Sequence, residues 1–175
     1  LLQTCDTQEE ASRVIALMAT ELFPGQRGSL AVFHSPGQYL ENIASWGDGA
    51  LGENIFPMKD CWAIRRGRPH EAKDSNGSLF CKHFVNPPKH GSLCLPLTVH
   101  GETLGVFSLE AASPSKVDHS FSPYQLALMV GETIKLSLAN LKLQKSLHEQ
   151  ATRDPLTGLF NRRYLEDTFP RELQG

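Results

Sequence analysis

The chain has 175 residues, 17 Lys+Arg against 19 Asp+Glu for a net charge of −2, and 40% apolar residues. That is enough for one ordinary domain and an extension, with no basic footprint for nucleic acid or an anionic membrane surface. No apolar run approaches the ~20 residues of a bilayer span. Leu1-Leu2-Gln3 lacks the regions of a signal peptide, and four cysteines without an export signal give the expectation of a reduced, cytoplasmic protein.

Thr7-Gln8-Glu9-Glu10 is a capping-box sequence, in which the Thr hydroxyl accepts a backbone N–H while Glu10 reaches back. Val14, Ile15, Leu17, Met18 and Leu22 follow at helical spacing, and Pro24-Gly25 stops the helix. Leu30 to Phe33 reads as a strand, Ser35-Pro36-Gly37 as a turn, and Tyr39 to Trp46 as the returning strand. Residues 57–91 are the least regular. Asp60 is placed to cap a short helix through Arg66, stopped by Gly67; residues 68–72 then read as extended and 74–77 as a turn. Leu93, Leu95, Leu97 and Val99 alternate with Cys94, Pro96 and Thr98, His100-Gly101-Glu102 turns the chain, and Leu104 to Leu109 returns. Because proline has no N–H for a ladder, Pro96 places its strand at an edge or a bulge. Ser122 as N-cap, Pro123 in the first turn and Phe121 as a staple open a helix that no proline interrupts before Pro155. About 30 residues at ~1.5 Å each span about 45 Å, more than one domain needs.

This succession of helix, two strands, irregular middle, hairpin and long helix resembles a GAF domain. The most specific part is Ser92 to Leu109, of the form S-L-x-x-P-L-x-x-x-G-x-x-L-G-x-x-x-L, where Gly101 supplies the turn and Gly105 lets backbones approach. The resemblance implies an α+β fold: an antiparallel sheet with terminal helices on one face and a ligand pocket on the other, followed by a long C-terminal signalling helix. Further on, Asp154, Leu156, Thr157, Gly158, Leu159, Asn161 and Arg162 resemble the opening of a GGDEF domain, the module that joins two GTP molecules into cyclic di-GMP. The signature that names that family is absent from the chain. The expected organisation is therefore a GAF sensor domain over residues 1–140, a helical linker over 141–153, and the truncated start of a GGDEF domain over 154–175. In the GGDEF family that opening is a structural turn, so no catalytic residue is assigned; GTP and Mg²⁺ belong to the portion that is missing.

The irregular middle lines the pocket in GAF domains. It carries Cys61, Trp62, His70, Cys81 and His83, which are the pocket candidates. Thiolate and neutral imidazole are the usual ligands of tetrahedral zinc, so Cys61, His70, Cys81 and His83 form a candidate metal set. A zinc ion, a tetrapyrrole, a redox thiol pair, and plain core thiols beside ordinary histidines all remain open. Cys5 and Cys94 read as structural. On the long helix Met129, Leu136, Asn140, Leu143 and Leu147 fit a heptad seam, with Asn140 placed to fix register. A second stripe of Val130, Ile134, Leu138 and Leu141 would face the domain's own sheet.

The function these features imply is a GAF regulatory domain, sensing a small molecule or redox state, that controls a C-terminal diguanylate cyclase through a dimeric helical linker. The expected partners are a second copy and an unidentified small ligand, with no nucleic acid and no membrane contact. The fragment itself is not expected to be an enzyme. Two alternatives stand beside this one: a GAF-type free methionine sulfoxide reductase, and a purely structural dimerisation module whose pocket is filled by Trp62 and Phe84.

Overall fold

Thr7 caps the first helix, α1 (Gln8–Leu22), its Oγ1 accepting the Glu10 N–H at 3.1 Å. Glu10 reaches back as a capping box requires, but one residue further than expected, to the Asp6 N–H at 3.2 Å. The buried stripe of α1 is Ala11, Ile15 and Ala19, while Leu17 and Leu22 point outward. Ala11 and Ala19 let the helix lie close on the sheet on either side of Ile15, and Leu17 is left in solvent. This computed structural model describes residues 2–34, 37–73, 79–86, 88–111, 122–154, 156–161 and 164. The expected turns at 35–37 and 74–77 and the staple residue Phe121 lie wholly or partly outside them.

Six strands follow: β1 (Gly28–Phe33), β2 (Tyr39–Trp46), β3 (Ile55–Pro57), β4 (His70–Ala72), β5 (Ser92–Val99) and β6 (Glu102–Glu110). They form one antiparallel sheet in the order β3-β2-β1-β6-β5-β4. Both edge strands have three residues, which limits the unpaired backbone offered to another chain. Pro96 sits where the sequence placed it. β4 pairs only with Ser92, Leu93 and Cys94, so Pro96 lies beyond its reach, and a register irregularity follows between Leu97 and Thr98. His100 and Gly101, with φ of 50° and 82°, close the β5–β6 hairpin as a two-residue loop. Gly105 is needed for space: a Cβ there would fall 2.2 Å from the Ala31 carbonyl oxygen of β1.

Strand alternation sorts side chains onto two faces. Phe107 of β6 stacks on Trp46 at 5.2 Å and meets Phe23 at 6.0 Å, so this face carries α1. Leu95 and Leu97 of β5 share it and lie against Gly131 of α3 (Pro123–Thr152), where a Cβ would stand 3.3 Å from Leu95. Ile134 and Leu138 of α3 are buried, Val130 and Leu141 half-buried. The opposite face carries Ala31, Cys94 and Val106, covered by Leu40, Leu51, Phe56, Ala63, Ile64 and Phe84. The short helix α2 (Trp62–Arg66) packs on this side against β5 and β6. Its N-cap is Cys61, without a side-chain bond; Asp60 instead ends a 3₁₀ turn over Met58–Asp60, so the expected Asp60 cap is not formed.

The chain comprises two compact units, Leu1–Leu138 and Ala139–Gly175, and the division falls within α3. In the second unit a turn is built on Asp154, whose carboxylate accepts from the Thr157 N–H, the Thr157 hydroxyl and the Leu156 N–H at 2.9–3.0 Å. Those bonds hold its pKa below the usual carboxylate range. Arg153 lies over the Phe160 ring and donates to the Gly158 carbonyl, and the Asn161 amide donates to the Ala151 carbonyl. No helix among the described residues is long and apolar enough to cross a membrane.

Arg27 and Glu110 clamp the sheet where β1 begins and β6 ends, through bonds of 2.7 and 3.0 Å, with the Lys89 N–H also donating to Glu110. Arg27 first, then the Lys89 N–H, hold the Glu110 carboxyl below its ordinary pKa. A depressed carboxyl contributes stability above its unfolded pKa and loses it as pH falls through the folded value. Glu110→Gln should therefore cost about 1–2 kcal/mol at neutral pH. The difference in melting temperature from the parent chain should shrink as the pH falls into and below the ordinary carboxylate range. A difference that is constant with pH would show that packing, not charge, is what Glu110 contributes.

Candidate functional site

The face opposite the terminal helices holds four ligand-type side chains at one point. Cys61, Cys81, His83 and Cys94 are all buried, and one ligand atom from each lies within 4.8 Å of every other. Cys81 Sγ is 3.8 Å from Cys94 Sγ, and Cys94 Sγ is 3.8 Å from His83 Nε2. Each arrives on a different kind of backbone. Cys61 stands at the start of α2, Cys94 on β5, and Cys81 and His83 on an irregular segment between β4 and β5. Main-chain bonds pin that segment: Lys82 N–H to the Asp60 carbonyl, Glu53 N–H to the His83 carbonyl, and Val85 N–H to the Leu51 carbonyl, at 2.8–3.1 Å. Cys81 and His83 do converge, but across a turn closed by the Phe84 N–H to the Cys81 carbonyl and not on the extended segment that their i, i+2 spacing suggested.

His70 is placed elsewhere. It pairs across the ladder with Cys94, but its Nε2 lies 2.7 Å from the Leu79 carbonyl oxygen and its Nδ1 3.4 Å from Arg66. Both ring nitrogens are thus engaged at the sheet edge, and the fourth member of the cluster is Cys94, which the sequence reading had set aside as structural. A signal for Cys94 was present. If Leu93, Leu95 and Leu97 face the terminal helices, the residue between them must face the pocket side. Trp62 is half-buried beside the cluster, with Arg65 over its ring at 4.3 Å, and Phe84 is buried within it.

The electrostatics of the cluster are uneven. Cys81 is pulled well below the ordinary thiol range by contact with the Cys61 and Cys94 thiols, with His83 and the Trp62 N–H, 3.3 Å from its sulfur, adding to the effect. Cys61 is pushed up to about 12, first by Cys81 and then by burial. Cys94 is raised as well, by both neighbouring thiols and complete burial, with the Ser108 hydroxyl 3.5 Å away. One thiolate is therefore favoured, and its neighbours resist a second. The His83 ring lies between Phe56 and Phe84 at 4.4 Å from each, and its Nδ1 has no hydrogen-bond partner among the described residues. Leaving such a group unsatisfied costs about 1–3 kcal/mol.

Residues 7–136 match the model of the GAF domain, and the chain belongs to the GAF family. Domains of this family are generally sensor and regulatory modules rather than catalytic ones. Among solved structures the chain is similar to residues 122 to 287 of a methyl-accepting chemotaxis protein, at 14% identity and TM-score 0.66, covering 83% of this chain and 96% of that one. It is also similar to the free methionine-R-sulfoxide reductase of Neisseria meningitidis, at 13% identity and TM-score 0.63, covering 82% and 84%. The GAF domain of a phosphoenolpyruvate-protein phosphotransferase from Coxiella burnetii matches at 15% identity and TM-score 0.62, covering 83% and 90%. At such identities the likeness carries the fold alone. No curated protein matches the chain.

A reductase of this fold would have to offer a thiol to its substrate. Here Cys61, Cys81 and Cys94 are 0%, 3% and 0% exposed. Their sulfurs should accordingly stay unreactive toward the disulfide reagent DTNB in native buffer and react only as the chain unfolds. Prompt modification of any of them, assigned by peptide mass, would reopen the enzymatic reading.

Proposed function

We propose that this chain is the sensory and dimerising input of a diguanylate cyclase. The observation that carries the reading is chain order. A GAF domain ends in a 30-residue helix, and that helix leads into a turn whose bonds use Asp154, Thr157, Gly158 and Asn161, residues that resemble the GGDEF opening. A second compact unit beginning at Ala139 supports it. In this reading the GAF domain alters how two cyclase domains meet, as condensation of two GTP molecules demands. Its ligand must bind the two output states with different affinity.

The helix supports a partner of the same chain. Met129, Leu136, Leu143 and Leu147 are 53–62% exposed and Asn140 is exposed, whereas Ile134 and Leu138 are 2% and 7%. An apolar stripe left in water beside one already buried fits a helix with two partners. A second copy presents the same stripe and the same Asn140, which satisfies its amide across a parallel seam.

Cyclic di-GMP formation from GTP tests the output. A longer protein in which this chain is joined to a complete GGDEF domain should form it, and residues 1–175 alone should form none. Failure of the complete protein, or an output indifferent to deletion of residues 7–136, would refute the proposal. The seam has its own test. Each fully covered leucine contributes about 1.5–3 kcal/mol, so Leu136→Asp with Leu143→Asp should make a dimeric protein monomeric while circular dichroism stays native. A double variant that remains dimeric places the seam elsewhere, and one that unfolds shows that this stripe faces the core.

A further inference from the structure

We propose that Cys61, Cys81, His83 and Cys94 form a closed tetrahedral site for one zinc-class divalent ion. The first argument is size. A tetrahedron with ~2.3 Å metal–sulfur bonds has edges of about 3.8 Å. The Cys81–Cys94 and Cys94–His83 separations are 3.8 Å, and no pair in the set exceeds 4.8 Å. A point between such atoms has room for an ion and none for a tetrapyrrole or another organic ligand.

The second argument is donor chemistry. Three sulfurs and one imidazole, with no carboxylate among them, suit zinc and exclude the oxygen-seeking ions Mg²⁺ and Ca²⁺. A redox pair would employ two of the thiols and leave the third, together with His83, without a role. Ordinary core thiols would not need an imidazole buried to 1% exposure with its Nε2 toward a sulfur. On ion binding the thiol protons leave to solvent and the thiolates are held by attraction to the cation.

The third argument is the surrounding shell. The Trp62 N–H donates to Cys81 Sγ at 3.3 Å, and the Ser108 hydroxyl, 3.5 Å from Cys94 Sγ, is placed to donate to a metal-bound thiolate there. Four protein ligands leave no open position, so the ion is structural. It joins the start of α2, the segment carrying Cys81 and His83, and β5. This assignment stands apart from the cyclase reading and does not depend on it.

The test uses the reduced chain, stripped of metal by a chelator and titrated with Co²⁺ alone. Saturation at about one equivalent per chain is expected, with the strong visible bands and near-ultraviolet sulfur-to-cobalt charge transfer of tetrahedral thiolate ligation, bleached by added Zn²⁺. His70→Ala should keep these bands. Cys94→Ser should weaken binding by more than the roughly 10–100-fold typical of an outer-shell change. If Cys94→Ser does not fold, the parent and His70→Ala titrations still decide. Absence of the bands in the parent chain, their loss in His70→Ala, or their persistence at full affinity in a folded Cys94→Ser would overturn the assignment.

Discussion

The antiparallel pairing of β5 with β6 is the constraint on which the rest depends. Its register sets Leu95 against Phe107 and Cys94 against Ser108. Because strand side chains alternate with a period of two, a slip of β5 by one residue would exchange the faces of that strand. Leu93, Leu95 and Leu97 would then crowd the thiol cluster, and Cys94 would lie beneath the terminal helices. The two-residue loop at His100-Gly101 holds this register, and the close approach that only Gly105 allows lets β1 pair on the other side of β6. The fold and the site therefore rest on one set of backbone bonds.

Much of the architecture was legible because its signals are local. The capping box, the alternation of β5, the turn at His100-Gly101 and the proline-free run after Pro123 each report on neighbours in sequence, and these elements lie where those residues place them. The inner face of α1 was less legible. The sheet selected Ala11 and Ala19 for closeness over Leu17, a choice made by packing and not by periodicity. The site was legible in kind and incomplete in membership. Cys61, Cys81 and His83 were singled out because they fall in the irregular middle. His70 shared that neighbourhood but is captured by the Leu79 carbonyl, and Cys94 comes from a regular strand outside it. Membership in a cluster built from three separate backbone segments is a tertiary fact that spacing does not encode.

The same geometry bears on what kind of sensor this face can be. In the family the expected pocket lies opposite the terminal helices, and here that region carries an apolar cluster in which Phe56, Phe84 and Ile64 surround the sulfurs. At the edge of this cluster Arg65 lies over the Trp62 ring and Arg66 meets His70.

β5 is also the wall shared by the two faces. Cys94 is bonded to Leu95, and Leu95 carries Gly131 of α3 on the opposite side of the sheet. A displacement of Cys94 along or out of its strand cannot be absorbed by side-chain rotation alone, because the residue is fully buried and its ladder partners Ser108 and His70 flank it on both sides. Densely packed interiors pass such strain on instead of dissipating it. The missing side chain at Gly131 brings the helix backbone near enough for Leu95 to act on it directly. Through Leu95 the strand that bears Cys94 is thus in contact with the helix on the other face.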